Sequence, residues 1–504
     1  MPSPELPLVA RARQHVDHMA IVTAEGTFTY RDLLEASSRV AACLLDGRAD
    51  LGEARVAFLA PAGWPYVATQ WGIWRAGGVA VPLATSHPPA ELEHVIRDAE
   101  PEIVVAHPDF AETMRSLDAV KRVRLLRTDE ALAHPRHPAP GTWAEVAEGR
   151  RAMIVYTSGT TGKPKGVVTT HANLRAQVTS LITAWEWTAD DAILLVLPLH
   201  HVHGIVNVVT CALWAGARCE MLPKFDAGRV WSRLAGGDLT LFMAVPTIYT
   251  KLIAAWDAAP VEQQRAWSAG CARLRLMVSG SAALPVPTLE RWKAISGHTL
   301  LERYGMTEFG MALSNPVRGE RRPGFVGRSL PGVEARLVDE QGGAVAPGTP
   351  GELEVRGPGV FLEYWRRPEA TTAAFRDGWF RSGDVAVVED GAYRLLGRSS
   401  VDIIKSGGYK ISALEIEAVL RTHPAVAECA VVGVEDPEWG EKICAAVEPR
   451  GAEPTLAELQ AWARERLAPY KLPRALRYVA ALPRNAMGKV MKPEVAALFG
   501  ARSA

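Results

Sequence analysis

Cysteine is scarce and unpatterned in this chain. Its six cysteines (Cys43, Cys211, Cys219, Cys271, Cys429 and Cys444) form no CxxC pair and mostly sit in apolar runs. That excludes a zinc ribbon and a disulfide framework, and fits buried thiols in a reducing compartment. Net charge is also missing: lysine plus arginine and aspartate plus glutamate stand at 56 each. No bulk field draws a polyanion, so no nucleic-acid partner is expected and any anion site has to be local. No stretch of about 18 uncharged apolar residues occurs, so no membrane span is expected. The amino terminus, MPSPELPLVARARQHVDHMA, has no apolar core before a small-residue cleavage site. A soluble, cytoplasmic protein is the expectation, with a short targeting role for Arg11 and Arg13 left open. No internal repeat or low-complexity tract is present. A length of 504 residues exceeds the single-core limit of roughly 250–300, which implies two or more domains.

What the chain does have is the run YTSGTTGKPKG, Tyr156 to Gly166. It follows a short apolar strand, Ala152 to Tyr156. Gly159 and Gly162 free the backbone to turn N–H groups toward one point. Thr157, Ser158, Thr160 and Thr161 add hydroxyls, Lys163 and Lys165 add charge, and Pro164 stiffens the exit. A polyphosphate is the natural guest. A Walker A loop does not fit, because its glycines stand further apart and Ser or Thr follows its lysine. Here the glycines are three apart and Pro164 follows Lys163.

Strand and helix signals alternate early on, with Val79 to Leu83, Pro89 to Ala99 (Leu92, Val95, Ile96 and Ala99 on one face) and Ile103 to Ala106 reading as a βαβ unit. Leu33, Val40, Ala41 and Leu44 stripe an earlier helix. These patterns predict an α/β fold: a large N-terminal domain of parallel-rich sheets flanked by helices, running to about residue 395, with the phosphate loop at a strand-to-helix turn. Beyond the glycine-rich stretch 397–410, Cys429 to Val434 and Lys442 to Val447 read as strands and Leu456 to Leu467 as an amphipathic helix. That is enough for a small α+β C-terminal domain. The expected division is residues 1–397, a hinge at 398–402 with Ser399 or Ser400 as its pivot, and 403–504.

Further motifs follow in order: LPLHHVHG (Leu197 to Gly204), FMAVPTIYTKL (Phe242 to Leu252), SGSAALP (Ser279 to Pro285), ERYGMTE (Glu302 to Glu308), RSGD (Arg381 to Asp384), GRSSVDIIKSGGYKI (Gly397 to Ile411) and PRNAMGK (Pro483 to Lys489). With the phosphate-loop run, they make the chain resemble the adenylate-forming superfamily of acyl-CoA synthetases, peptide-synthetase adenylation domains and luciferases over nearly its whole length. Within that superfamily the histidine run, SGSAALP and ERYGMTE most resemble the malonyl-CoA synthetases, some of which also take methylmalonate.

The resemblance implies roles for particular residues. Thr157, Ser158, Gly159, Thr160, Thr161, Gly162 and Lys165 would hold the β- and γ-phosphates of ATP. Glu308 would hold Mg²⁺, a hard cation that prefers oxygen ligands, and Thr307 would touch the α-phosphate. Adenine would lie between the backbone at Ser281 and Ala282 and the ring of Tyr304. Asp384 would accept the ribose hydroxyls, and Arg398 would add a cation nearby. Lys489 would reach the reacting carboxylate and α-phosphate from the small domain, stabilising charge where it develops. After acyl-adenylate formation the small domain would rotate, withdrawing Lys489 and bringing Ser406, Gly407, Gly408 and Lys410 to the pantetheine of coenzyme A.

For the acid, Arg303 stands directly before Tyr304. A guanidinium near the pocket floor pairs well with a second carboxylate, which points to a short dicarboxylic acid, with His201, His203 and Ser279 adding hydrogen bonds. The alternative is that Arg303 pairs structurally with Glu302 or Glu334 and the histidines merely pack. Three other activities stand beside a malonate ligase: a monocarboxylate ligase, an enzyme that loads a carrier protein, and a catalytically silent nucleotide-binding protein. The sequence is silent on oligomeric state.

Overall fold

The computed structural model describes residues 5–135, 144–157, 164–399, 401–406, 409–485 and 488–500. Two parallel-rich sheets carry the large domain. The first has seven strands in the order Glu363–Tyr364, Lys165–Thr170, Arg151–Thr157, Val79–Pro82, Arg55–Leu59, Ile103–Ala106 and Arg124–Arg127. Val79–Pro82 and Ile103–Ala106 are buried at every position. They need no polar alternation because helices cover both faces of such a sheet. Both pair in parallel with Arg55–Leu59, which lies between them.

The helices follow from local chemistry. Tyr30–Leu45 opens on a capping box in which Thr29 and Asp32 bond reciprocally, closes on left-handed Asp46, and buries Leu33, Val40, Ala41 and Leu44. Pro89–Ala99 starts on a proline, whose missing N–H costs nothing there, and buries Leu92, Val95, Ile96 and Ala99.

The second sheet has nine strands. Its parallel centre runs Leu301–Met306, Leu276–Ser279, Leu241–Ala244, Ala192–Leu195, Arg218–Met221 and Met19–Thr23, and antiparallel strands close both edges. In sheets of this kind ligands sit beyond the carboxyl ends of the strands. Ser279, Met306 and the histidine run after Leu195 all fall there.

Two expectations need correction. The parallel region does not extend to residue 395: the strands Glu334–Val338, Gly351–Arg356, Phe375–Arg376, Trp379–Glu389 and Ala392–Arg398 form an antiparallel sheet of their own. A tight turn at Asp390 and Gly391 joins Trp379–Glu389 to Ala392–Arg398, and such a turn permits antiparallel pairing only. The phosphate-loop run also does not lead into a helix. It links Arg151–Thr157 to Lys165–Thr170, which pair antiparallel with Thr157 opposite Lys165.

From residue 403 the chain builds a separate five-stranded sheet, Tyr409–Ser412, Ile403–Ser406, Gly440–Pro449, Val426–Asp436 and Ala475–Tyr478. Its core residues, among them Ile404, Ile411, Ile416, Leu420, Val431, Ile443, Val447 and Leu459, pack on one another without large-domain members. The helix expected to Leu467 ends at Arg464. Among the described residues no helix is long and apolar enough to cross a membrane, and all six cysteines are buried and unpaired.

Candidate active site

The phosphate-loop hairpin, the ERYGMTE strand and the antiparallel sheet meet at one aromatic side chain. Tyr364, paired through Val167 to the strand after the loop, lies under Lys165, whose ammonium stands 5.1 Å from the ring centroid. The Tyr364 hydroxyl donates to Glu308 Oε1 at 2.9 Å, and Phe361 N–H donates to the Glu308 carbonyl at 2.6 Å. Glu308 is thus buried and aimed, and burial raises its pKa against the pull of that hydroxyl. Ser158, Gly159, Thr160, Thr161 and Gly162 lie outside the described residues. Tyr364 was not legible as a site residue: it sits 56 positions from its partner, in a stretch without a motif.

Tyr304, Asp384 and Arg398 form the second group. Asp384 and Arg398 are direct cross-strand partners, with Arg398 Nε 3.0 Å from Asp384 Oδ1. Tyr304 donates its hydroxyl to Asp384 Oδ2 at 2.5 Å. Burial raises the Asp384 pKa and the adjacent guanidinium opposes that rise. Thr307, directly before Glu308 in the chain, is half-buried.

The third group surrounds Arg303, where the acid pocket is expected. Arg303 is 4% exposed and meets no carboxylate among the described residues. Glu334 pairs with Arg356 at 2.6 Å, and the Glu302 carboxylate takes the Gly324 N–H at 3.0 Å, so neither expected structural partner claims it. Burial alone pushes the Arg303 pKa down to about 9. Among the described residues its one hydrogen bond is a long one, Nη2 to Ser281 Oγ at 3.5 Å.

Gly280 explains how the guanidinium fits: a Cβ there would lie 2.4 Å from Arg303 Cζ. The glycine of SGSAALP therefore makes room for Arg303. Ser281, a non-glycine residue at φ +68°, places its hydroxyl 3.1 Å from His203 Nδ1. Such strain persists where surrounding structure enforces it. Ala282 is exposed beside it. His201 Nε2, His203 Nε2, Ser279 Oγ and Arg303 Nε are all buried without a protein partner among the described residues. Burial pushes His201 down to about 4 and His203 well below the ordinary imidazole value, so both rings are neutral at pH 7.

Lys489 comes to these groups from the small domain. Its loop closes on itself: Lys489 N–H donates to Asn485 Oδ1 at 3.0 Å, and Arg484 Nη1 donates to the Gly488 carbonyl at 2.8 Å. The side chain keeps access to solvent yet stands within a cleft crowded enough to lower its pKa. Lost hydration is the main cause, then Arg398, with Asp384 opposing and Arg303 adding to the fall. His201 in turn feels the lysine charge.

At the crossing between domains, Arg398 N–H donates to Asp402 Oδ2 at 3.0 Å, Ser399 N–H donates to the Gly383 carbonyl at 2.9 Å, and Lys492 Nζ sits 3.3 Å from Asp402 Oδ1. Gly397, at φ +123°, is obligatory, since a Cβ would lie 2.3 Å from that of Asp402. Ser400 is outside the described residues. Ser406 is buried on the hairpin Ile403–Ser406 and Tyr409–Ser412, its hydroxyl unpartnered among the described residues. Lys410 is described in its backbone only, opposite Lys405, and Gly407 and Gly408 are not described.

Two buried carboxylates, each held by a tyrosine, with a lysine delivered by a second domain, suit an adenylate-forming enzyme, and sequence comparison agrees. Residues 8–365 match the AMP-binding enzyme family and residues 415–489 the AMP-binding enzyme C-terminal domain; the chain belongs to this family. Among its relatives, the Homo sapiens mitochondrial malonate–CoA ligase ACSF3 is 47% identical over 522 residues, covering 96% of this chain and 91% of that protein. Among solved structures, ATP-bound MatB from Rhodopseudomonas palustris is 35% identical with a TM-score of 0.90, covering 98% of this chain and 99% of that one. A malonyl-CoA ligase in a ternary product complex with methylmalonyl-CoA and AMP is 39% identical with a TM-score of 0.69, covering 95% of this chain and 100% of that one.

Proposed function

We propose that this protein joins malonate, and its 2-methyl analogue, to coenzyme A at the expense of ATP. In the first half-reaction a carboxylate oxygen attacks the α-phosphorus and pyrophosphate leaves, giving the acyl-adenylate. In the second, the coenzyme A sulfur attacks the acyl carbon and AMP leaves, the thiol proton passing to solvent. The observation that carries the choice of acid is Arg303, buried under Gly280 with no carboxylate against it among the described residues. An isolated interior charge is costly unless a ligand pairs with it, and a second substrate carboxylate pairs bidentately. A monocarboxylate offers nothing in that place. The relatives named as malonate ligases favour the same reading.

In this reading Asp384 takes the ribose hydroxyls with Arg398 beside it, Tyr304 flanks adenine against Ser281 and Ala282, and Thr157, Lys165 and the undescribed loop residues grip the phosphates, with Thr307 at the α-phosphate. Glu308 fits Mg²⁺ as a single aimed carboxylate, because that ion completes its shell with water and phosphate oxygens and needs no protein cage. When bound it would neutralise phosphate charge. Lys489 donates to the carboxylate and α-phosphate oxygens as charge builds between them.

Division near 398–402 and rotation of the small domain are part of the proposal, bringing Ser406, Gly407, Gly408 and Lys410 to coenzyme A. Two likenesses support it: the TM-score is higher against the ATP-bound neighbour, 0.90, than against the product complex, 0.69, although the latter is the more identical in sequence. A reducing site, the cytoplasm, suits the six buried thiols, whereas the human relative's name places that protein in the mitochondrion.

The test is acid-dependent pyrophosphate exchange and thiol-dependent AMP release over a panel of acids. Malonate and methylmalonate should lead, and Arg303→Ala should abolish their advantage while ATP still binds. Activity confined to long-chain fatty acids, or malonate turnover unaltered by the substitution, would sink the assignment.

A further inference from the structure

Asn207 is a fully buried side chain whose amide nitrogen and carbonyl oxygen both lack a protein partner among the described residues. No motif marked it. It lies on the wide-turn helix His203–Thr210, four residues after His203, and a separation of four keeps two side chains on one side of a helix. Wide turns of this type, in which Thr210 Oγ1 also donates to the Ile205 carbonyl at 2.7 Å, concentrate at functional sites.

The tautomer of His203 follows from its neighbours. Arg303 can only donate, so at its 3.5 Å contact Ser281 Oγ is the acceptor, and the serine hydrogen is free to point at His203 Nδ1, 3.1 Å away. The ring's own hydrogen is then on Nε2, which is buried and has no protein acceptor among the described residues. His201, His203, Ser279 and Arg303 likewise carry buried polar atoms unpaired among the described residues, and Asn207 is tied to them through the helix side it shares with His203. Folded proteins tolerate few such groups, and a cluster of them marks what a ligand or ordered water satisfies. An asparagine kept for structure would hold a backbone group. This one holds none among the described residues.

We propose that Asn207 is a specificity-determining residue of the acid pocket, its amide hydrogens meeting the second carboxylate of a dicarboxylic substrate directly or across one ordered water, beside the guanidinium of Arg303. The assignment rests on the dicarboxylate reading above. It adds a neutral double donor to the cation, so that the second carboxylate has an acceptor's full complement of partners in a place where water is scarce.

The experiment uses the full-length protein with Asn207→Leu, close in volume and without polar atoms, and Asn207→Asp, the same shape with an acceptor where the donor stood. Pyrophosphate exchange is measured with malonate and with propionate, together with the KM for ATP and the melting temperature. Both variants should lose about tenfold to a hundredfold in kcat/KM for malonate, mostly through KM, as expected when a buried polar recognition group is removed. The KM for ATP should hold and propionate exchange should not fall. Asn207→Leu should melt at or above the wild-type temperature, since an unsatisfied buried amide has gone. Should the leucine variant fail to fold, the aspartate variant decides. Malonate kcat/KM within twofold of wild type in a folded variant, or malonate and propionate falling together, overturns the assignment. Wild-type protein that exchanges no pyrophosphate with malonate removes the shared dicarboxylate reading as well, so the two failures are told apart.

Discussion

Arg398 and Asp384 face each other across two antiparallel strands, Nε to Oδ1 at 3.0 Å, with the second carboxylate oxygen taken by the Tyr304 hydroxyl. The aspartate is therefore held at a fixed angle before any nucleotide arrives. Asp384→Asn keeps the shape and removes the charge that a ribose hydroxyl would donate to. Hydrogen bonds to charged groups contribute about 1.5–3 kcal/mol, so the KM for ATP should rise about tenfold to a hundredfold. Exchange kinetics at varied ATP check this, and an unchanged KM removes Asp384 from the nucleotide site.

Arg303 should trade stability for recognition. Arg303→Met removes an interior charge with no carboxylate partner among the described residues and keeps much of the volume. Replacement of buried charge by a packed apolar side chain stabilises by about 1–4 kcal/mol, read as a higher urea midpoint, while malonate activation is lost. A large loss of stability would instead assign the guanidinium a structural role.

The Lys489 ammonium is needed only for adenylation in this reading. Lys489→Ala, or acetylation, which removes the charge, should stop acyl-adenylate formation and spare thioester formation from supplied acyl-adenylate. Because its pKa is lowered, the protonated fraction falls as pH rises, beginning below the range of an ordinary lysine. The adenylation rate should show that alkaline limb, and Lys489→Arg should move it upward. Equal loss of both half-reactions in Lys489→Ala contradicts the assignment.

His171 links pH to stability away from the site. It is buried against Trp74, and lost hydration, then Arg150, push its pKa down to about 3. Below the unfolded value of 6.5 the unfolded chain binds a proton that the folded one refuses, so stability falls as pH drops from 6.5 toward 3. The slope from one such group is on the order of 1 kcal/mol per pH unit. Glu302, raised to about 8 by burial, works in the opposite direction between 4.5 and 8, since the folded state holds its proton. Comparing wild type with His171→Phe isolates the histidine: the variant should lose less stability on going from pH 6.5 to 4. Parallel curves would mean that His171 titrates normally.

Local chemistry was enough to read Pro89–Ala99 and Ile103–Ala106 to the residue, because a proline start, an apolar helical face and an unbroken apolar run are properties of adjacent residues. It also carried the motifs, since Thr157, Glu308, Asp384 and Lys489 stand in short runs whose composition has few other uses. Contacts between distant segments were not readable. Tyr364 reaches Glu308, Gly280 clears space for Arg303, and Asn207 is left without a protein partner among the described residues, and none of these relations is encoded in spacing.

The sequence by itself determined which groups the protein owns: a hydroxyl- and glycine-rich run, a carboxylate closing the ERYGMTE run, a lysine near the far end and an arginine before a tyrosine. Only the tertiary structure decided that the run closes a hairpin, that Glu302 and Glu334 have other partners, and that Arg303 is consequently left without a carboxylate partner among the described residues. Pairing and desolvation depend on what packs around a charge in three dimensions, and the chain's linear order holds no record of that.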